Sequence, residues 1–106
     1  MVLAAASLQD VLPAVARAWD ARGGVPVRFN FDATSRLAPQ VIRGAPADVF
    51  VSADDEWMGW LEERGGVDGL SIRRVATNQL VFVVPTGAPD PPGAPVSIAR
   101  ADLARI

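Results

Sequence analysis

Three stretches of this chain leave an apolar run through small and hydroxyl-bearing residues: "AASL" around Ser7, "DATSRL" around Thr34 and Ser35, and "VSAD" around Ser52 and Ala53. None of them brings an imidazole, a thiol or an ammonium. What they bring is hydroxyl donors and backbone N–H groups that small side chains leave accessible. Donors of that kind, gathered where helices begin, can hold an anion without any cationic side chain, because the first N–H groups of a helix are unpaired and lie at the positive end of its dipole. The same residue types are also ordinary helix N-caps, so each junction taken alone reads more readily as a helix start, and only the three together bring the anion reading level with it. Asp32 and Asp54, which flank two of the junctions, count mildly against an anion unless their carboxylates turn outward to complement the helix ends. On residue types alone the two readings stand side by side.

Other chemistries are excluded more firmly. The 106 residues contain no histidine and no cysteine, so a Ser-His triad, a histidine metal site, a thiolate metal site and a disulfide are all impossible within them. All ten cations are arginine, they face twelve carboxylates, and the net charge is −2. No basic run suggests a nucleic-acid groove. No apolar run approaches the ~20 residues of a membrane span. Met1 leads straight into a strand pattern without the basic and long apolar regions of a signal peptide. The chain is accordingly expected either to stay in the cytoplasm or to have had an export signal trimmed.

The elements that would position the three junctions follow from periodicity. Val2 to Ala6 reads as a short buried strand. Val11, Leu12, Val15, Ala16 and Trp19 then fall on one face of a helix that ends at Gly23-Gly24. Pro13 suits the free first turn of a helix starting near Asp10, with a loose turn at Ser7 before it. "VPVRFNF" alternates from Val25 to Phe31 as a strand. A second helix opens at "DATS", carries Leu37, Val41 and Ile42, holds Pro39 in its first turn and ends at Gly44. Asp48 to Val51 reads as a third strand. A third helix carries Trp57, Trp60 and Leu61 on one face and stops at Gly65-Gly66. Ile72–Ala76 and Gln79–Val84 read as further strands, the five prolines between Pro85 and Pro95 as a crossing loop, and "VSIARADLARI" as a short helix. No internal repeat of fixed period is present.

This alternation of strand and helix specifies an α/β fold with a mostly parallel sheet and right-handed connections. In a parallel sheet the three junctions share one edge, the carboxyl ends of the strands, where open α/β sheets bind ligands. The remaining candidates are weaker. Trp57 and Trp60 read as core, Arg36 as an exposed helix arginine within reach of an anion, Arg73-Arg74 as a solvated strand edge, and Glu62-Glu63 as a solvated helix face.

The stretches "AAASLQDVLPAVARAW", "FDATSRLAPQVIRGAPADVFVSADDEWMGWL" and "NQLVFVVP" resemble the molybdate-binding proteins of ABC transporters. The likeness runs in order from Val2 to about Pro85, and "GAPADVFVSAD", Gly44 to Asp54, is its most specific piece. The resemblance implies the parallel-sheet, three-layer lobe of a type II periplasmic binding protein fold, truncated, with residues 1–84 as the first lobe and 85–106 as a crossing loop and the start of the second. It implies a tetrahedral oxyanion, molybdate or tungstate, held by neutral donors: Ser7 after the first strand, both capping and donating; Thr34 beside Ser35 after the second; and the backbone N–H of Ala53. The family usually carries serines where this chain has Ala33-Thr34, and threonine keeps the hydroxyl. A membrane permease is the implied partner, the location is outside the cytoplasm, and no cofactor, free metal cation, nucleic acid or catalysis is implied.

The family's chains are more than twice as long, so this one carries half of a two-lobed site. Two or three missing donors, each contributing about 1.5–3 kcal/mol to a charged ligand, weaken binding roughly a thousandfold or more. The chain alone is therefore expected to bind an oxyanion weakly or undetectably, and its uncovered apolar surface to drive self-association. The rival readings are a binding protein for sulfate or phosphate, the latter needing a proton acceptor for which Asp32 is the nearby candidate; a ligand-sensing domain of a cytoplasmic regulator; and, least supported for want of a base, an enzyme using Ser7.

Overall fold

The computed structural model describes residues 1–79 and 85–87. The chain divides into two compact units, Met1–Arg74 and Val75–Ile106. The expected strand over Gln79–Val84 and the expected helix after Pro95 lie outside the described residues. All described helices and strands belong to the first unit.

That unit is built as strand β1 (Val2–Ala5), a 3-10 turn (Ala6–Leu8), helix α1 (Val11–Asp20), strand β2 (Phe29–Asp32), helix α2 (Thr34–Ile42), strand β3 (Val49–Val51), helix α3 (Asp55–Glu63) and a second 3-10 turn (Gly69–Ser71). The sheet is parallel with order β2-β1-β3, as the alternating pattern requires. The loose turn at Ser7 and the tight helix after it are both present, and Pro13, third residue of α1, lies in the first turn where its missing N–H costs nothing. Gly23 and Gly44 follow α1 and α2 with φ of 79° and 89°, the left-handed conformation that closes a helix and that other residues adopt only with strain.

Three expectations are corrected. First, β2 begins at Phe29 rather than Val25. Phe29 pairs with Val2 and the Arg28 carbonyl accepts from Val2 N–H at 2.7 Å, so Val25–Val27 runs past the start of β1 and finds no ladder, despite its alternation. Second, Pro39 is the sixth residue of α2, beyond the first turn, where it removes one intrahelical bond. Third, Ile72–Ala76 is not a strand, and Arg73-Arg74 is thus not a strand edge. Local bonds claim this backbone instead: Asp68 caps the 3-10 turn through Leu70 N–H at 3.0 Å, and the Arg73 guanidinium donates to the carbonyls of Leu70 and Ile72, each at 2.8 Å.

The well-packed core lies on one face of the sheet. Leu3 and Ala5 of β1 meet Leu37 and Ala38 of α2 and Leu61 of α3, all buried, with Leu37 and Leu61 fully so. On the opposite face α1 covers the sheet less completely. An apolar groove remains there between Leu12, Val15, Ala16 and Trp19 of α1 and Val2, Phe29, Val49 and Val51 of the strands. Val11, Val15 and Trp19 are each half exposed or more. The stripe read from the sequence is thus a true helical face, with only part of it covered.

Candidate functional site

The register fixes where the three junctions emerge. Ala5 stands opposite Asp32, and Ala4 opposite Val51, so the residues that follow all leave the sheet at its carboxyl edge. They converge. Ala5, Ala6 and Ser7 from the first junction, Ala33, Thr34 and Ser35 from the second, and Ala53 and Asp54 from the third line one open depression of about 310 Å³, closed on one side by Trp57. Every residue singled out as an anion donor, Ser7, Thr34, Ser35 and Ala53, is in this wall.

The junctions differ in what they offer. Ser7 sits inside the 3-10 turn, and the N-cap of α1 is Asp10, which makes no side-chain cap bond. Ser7 therefore does not cap, contrary to the expectation that it would cap and donate together. The N-cap of α2 is Ala33, again without a side-chain cap bond. Thr34 and Ser35 are the first two residues of α2, so their backbone N–H groups have no intrahelical acceptor, and this nine-residue helix presents its positive end to the depression. The third junction is different. Asp54 caps α3 by accepting from Trp57 N–H at 2.8 Å, with Asp55 and Glu56 in the first turn. The positive end of α3 is thus already compensated by carboxylates. The starts of α1 and α2 both lack a side-chain cap bond, and of these two only that of α2 lines the depression.

Thr34 and Ala53 meet directly. The Ala53 N–H donates to Thr34 Oγ1 at 3.1 Å, joining the second junction to the third across nineteen residues of sequence. Thr34 is only 6% exposed and is the one buried polar residue among the described residues. Its hydroxyl accepts from Ala53 and donates to no atom among the described residues, and Thr34 lines the depression. Ser52 turns the other way: its Oγ donates to the Asp54 carbonyl at 2.6 Å and accepts from Asp54 N–H at 3.2 Å, which ties the turn to itself.

The flanking carboxylates complement helix ends. Asp32 accepts from Ala33 N–H at 2.7 Å and lies 3.7 Å from the Arg36 guanidinium, so Arg36 is engaged at the surface by the last residue of β2. Asp32 does not line the depression; Asp54 does. Trp57 and Trp60, read as core, are half-buried. They make an edge-on pair at 5.3 Å, and Arg64 lies over Trp60 at 4.1 Å from the ring centroid. Asp54, weighed in the sequence only as a flanking charge, and Trp57, assigned there to the core, both line the depression. A signal was present: they are the N-cap and third residue of a helix that begins at the site edge, where first-turn side chains border whatever lies there.

Comparisons with known proteins show the family. The family model of the bacterial extracellular solute-binding proteins matches residues 1–106. The chain is 38% identical over 84 residues to the molybdate-binding protein ModA of Escherichia coli, an alignment covering 79% of this chain and 33% of that one. It is 40% identical over 90 residues to the molybdate-binding protein ModA of Mycobacterium tuberculosis strain H37Rv, covering 84% and 34%. Among solved structures, the substrate binding domain of a putative molybdenum ABC transporter from Clostridium difficile superposes with a TM-score of 0.54 at 32% identity, covering 58% of this chain and 28% of that one. The chain thus spans about a third of the length of the curated relatives it matches. With a parallel β2-β1-β3 sheet, three junctions meeting at its carboxyl edge, and a family model that runs from the first residue to the last, the chain belongs to the bacterial extracellular solute-binding proteins.

Proposed function

We propose that this chain supplies the first-lobe half of an oxyanion site in the substrate-binding component of an ABC importer, and that the ion is molybdate or tungstate. Ser7, Thr34 and Ser35 donate their hydroxyls, the first N–H groups of α2 add to them, and the Ser52-Ala53 turn closes the third side. The observation that carries this reading is Thr34: a buried hydroxyl, accepting one bond and donating none among the described residues, at the mouth of an open helix N-terminus. A ligand that only accepts hydrogen bonds answers that arrangement, and a fully deprotonated tetrahedral oxyanion is such a ligand. The relatives that carry molybdate in their names support the identity of the ion.

In this reading residues 1–84 form the first lobe, and 85–106 the crossing loop and the start of the second. The protein works outside the cytoplasm, delivers its ion to a membrane permease, uses no cofactor and performs no catalysis. The 106-residue chain associates with a second copy through the apolar groove beside α1, where Trp19 and Val15 form a ridge next to a slot lined by Val49 and Val51.

The test is a titration of the 15N-labelled chain with molybdate, sulfate and hydrogen phosphate. Binding contributes little beyond the cost of association when only one lobe donates, so molybdate is expected to bind with about millimolar affinity. Amide shifts should centre on Ser7, Thr34 and Ser35. Shifts scattered over the surface, or a submicromolar affinity for the chain alone, would overturn the half-site reading.

A further inference from the structure

Ala53 and Thr34 both read as ligand donors, yet the structure shows them bonded to each other. One N–H cannot donate strongly to two acceptors at once. We infer that the Ala53 N–H acts on Thr34 and not on the ligand: it is a positioning group that locks the Thr34 hydroxyl as a one-way donor into the depression. This rests on the oxyanion reading of the same site and adds to it a division of roles.

Three observations support the inference. The Ala53 N–H lies 3.1 Å from Thr34 Oγ1, an ordinary hydrogen-bond distance. Thr34 is buried to 6% exposure, which limits the competition of water for the lone pair that Ala53 uses. The Ala53 turn is itself held, because Ser52 bonds both the N–H and the carbonyl of Asp54. A hydroxyl rotates freely in principle, with one proton and two acceptor lone pairs. Here an incoming N–H occupies its acceptor side, and the proton must point elsewhere. Accepting from Ala53 also polarises the Thr34 O–H, since bonds in a chain strengthen one another. The arrangement is a relay from Ala53 N–H through Thr34 O–H to the bound oxygen. It gives the half-site one oriented donor, whereas the hydroxyls of Ser7 and Ser35 have no such partner among the described residues.

The experiment uses the full 106-residue chain, 15N-labelled, in three forms: unaltered, Thr34→Ser and Thr34→Val. Sodium molybdate is the probe. In the unaltered chain at saturation, the Ala53 amide should keep its slow hydrogen exchange while the Thr34 and Ser35 amides shift. Thr34→Ser retains hydroxyl and lone pair, and should keep both Ala53 protection and molybdate affinity within a few-fold. Thr34→Val is nearly isosteric and removes both. It should expose the Ala53 amide to exchange even without molybdate, and weaken binding by on the order of 10- to 100-fold. A merely structural role for Thr34 would leave affinity unchanged in any folded variant, and that result overturns the inference. Loss of Ala53 protection or a large Ala53 shift on molybdate binding, with Thr34 variants binding normally, would show that Ala53 turns to the ligand, and would overturn it while leaving the oxyanion site intact. No molybdate-dependent shift at any of the three junctions would overturn the site reading and the inference together.

Discussion

Replacing Ser7 with alanine separates the two roles that a hydroxyl at a strand-to-helix junction can play. A serine that caps a helix stabilises it by typically about 1 kcal/mol, within a range of roughly 0.5–2. In this structure Ser7 is exposed inside a 3-10 turn, and the cap position of α1 belongs to Asp10. No cap bond is lost with the hydroxyl, so Ser7→Ala should change stability by less than about 0.5 kcal/mol, as for a surface substitution. With a urea m-value near ~2 kcal/mol/M, that is a midpoint shift below roughly 0.25 M, against about 0.5 M for a lost cap. The effect on binding is the reverse. A hydrogen bond to a charged ligand contributes about 1.5–3 kcal/mol, or on the order of 10- to 150-fold in affinity. Starting from a millimolar half-site, that loss should erase the molybdate-dependent amide shifts at Thr34 and Ser35. Urea unfolding followed by tryptophan fluorescence, beside the molybdate titration, reads both quantities on one preparation. A variant destabilised by about 1 kcal/mol or more that still binds molybdate as before would show that Ser7 is a structural residue and would refute the reasoning.

Further outcomes follow from other residues. Leu61 is fully buried on α3, which packs on α2, and Leu61→Ala should cost about 2–5 kcal/mol in urea unfolding; a loss below 1 kcal/mol would mean that this face is not the packed one. Asp54 both caps α3 and lines the depression. Asp54→Asn keeps a good capping group and removes a negative charge from the wall, so stability should hold within a few tenths of a kcal/mol while molybdate binds several-fold tighter, a gain that added salt reduces. The Met1 ammonium, hydrogen-bonded to Asp48 at 2.7 Å, holds that carboxyl below its ordinary range, with the charge of the same group adding to the effect. The associated stabilisation is present above the ordinary carboxylate pKa and is lost as pH falls through the lowered one. An NMR pH titration should place Asp48 lower in the free-amine chain than in an N-acetylated one; equal values would remove the pair from the account.

The convergence of the candidate residues was more legible than the bounds of the strands that carry them. Ser7, Thr34, Ser35 and Ala53 stand out because each follows an apolar strand, and the parallel pattern sends all strand ends to one edge. Which helix start stays open was not legible. It depends on Asp54 folding back onto Trp57 N–H while Ala33 caps nothing, and both are local choices that a run of small polar residues leaves undetermined. The Thr34–Ala53 bond is nonlocal and has no sequence signal. The start of β2 failed for a related reason: alternation from Val25 records a strand-like chain, but only pairing with Val2 fixes where a ladder can begin. Pro39 shows packing overriding propensity, since burying Leu37 and Ala38 against β1 keeps α2 intact across a missing bond.

The central claim is that neutral donors at the carboxyl edge of this sheet hold a tetrahedral oxyanion without a cationic side chain. Anomalous diffraction at the molybdenum edge, from crystals of the chain grown with sodium molybdate, tests it most directly. The account predicts one dominant molybdenum peak over the N-terminus of α2, with its oxygens within hydrogen-bond reach of the Ser7, Thr34 and Ser35 hydroxyls. A dominant peak beside arginine side chains, with the depression at Thr34 empty, would contradict it.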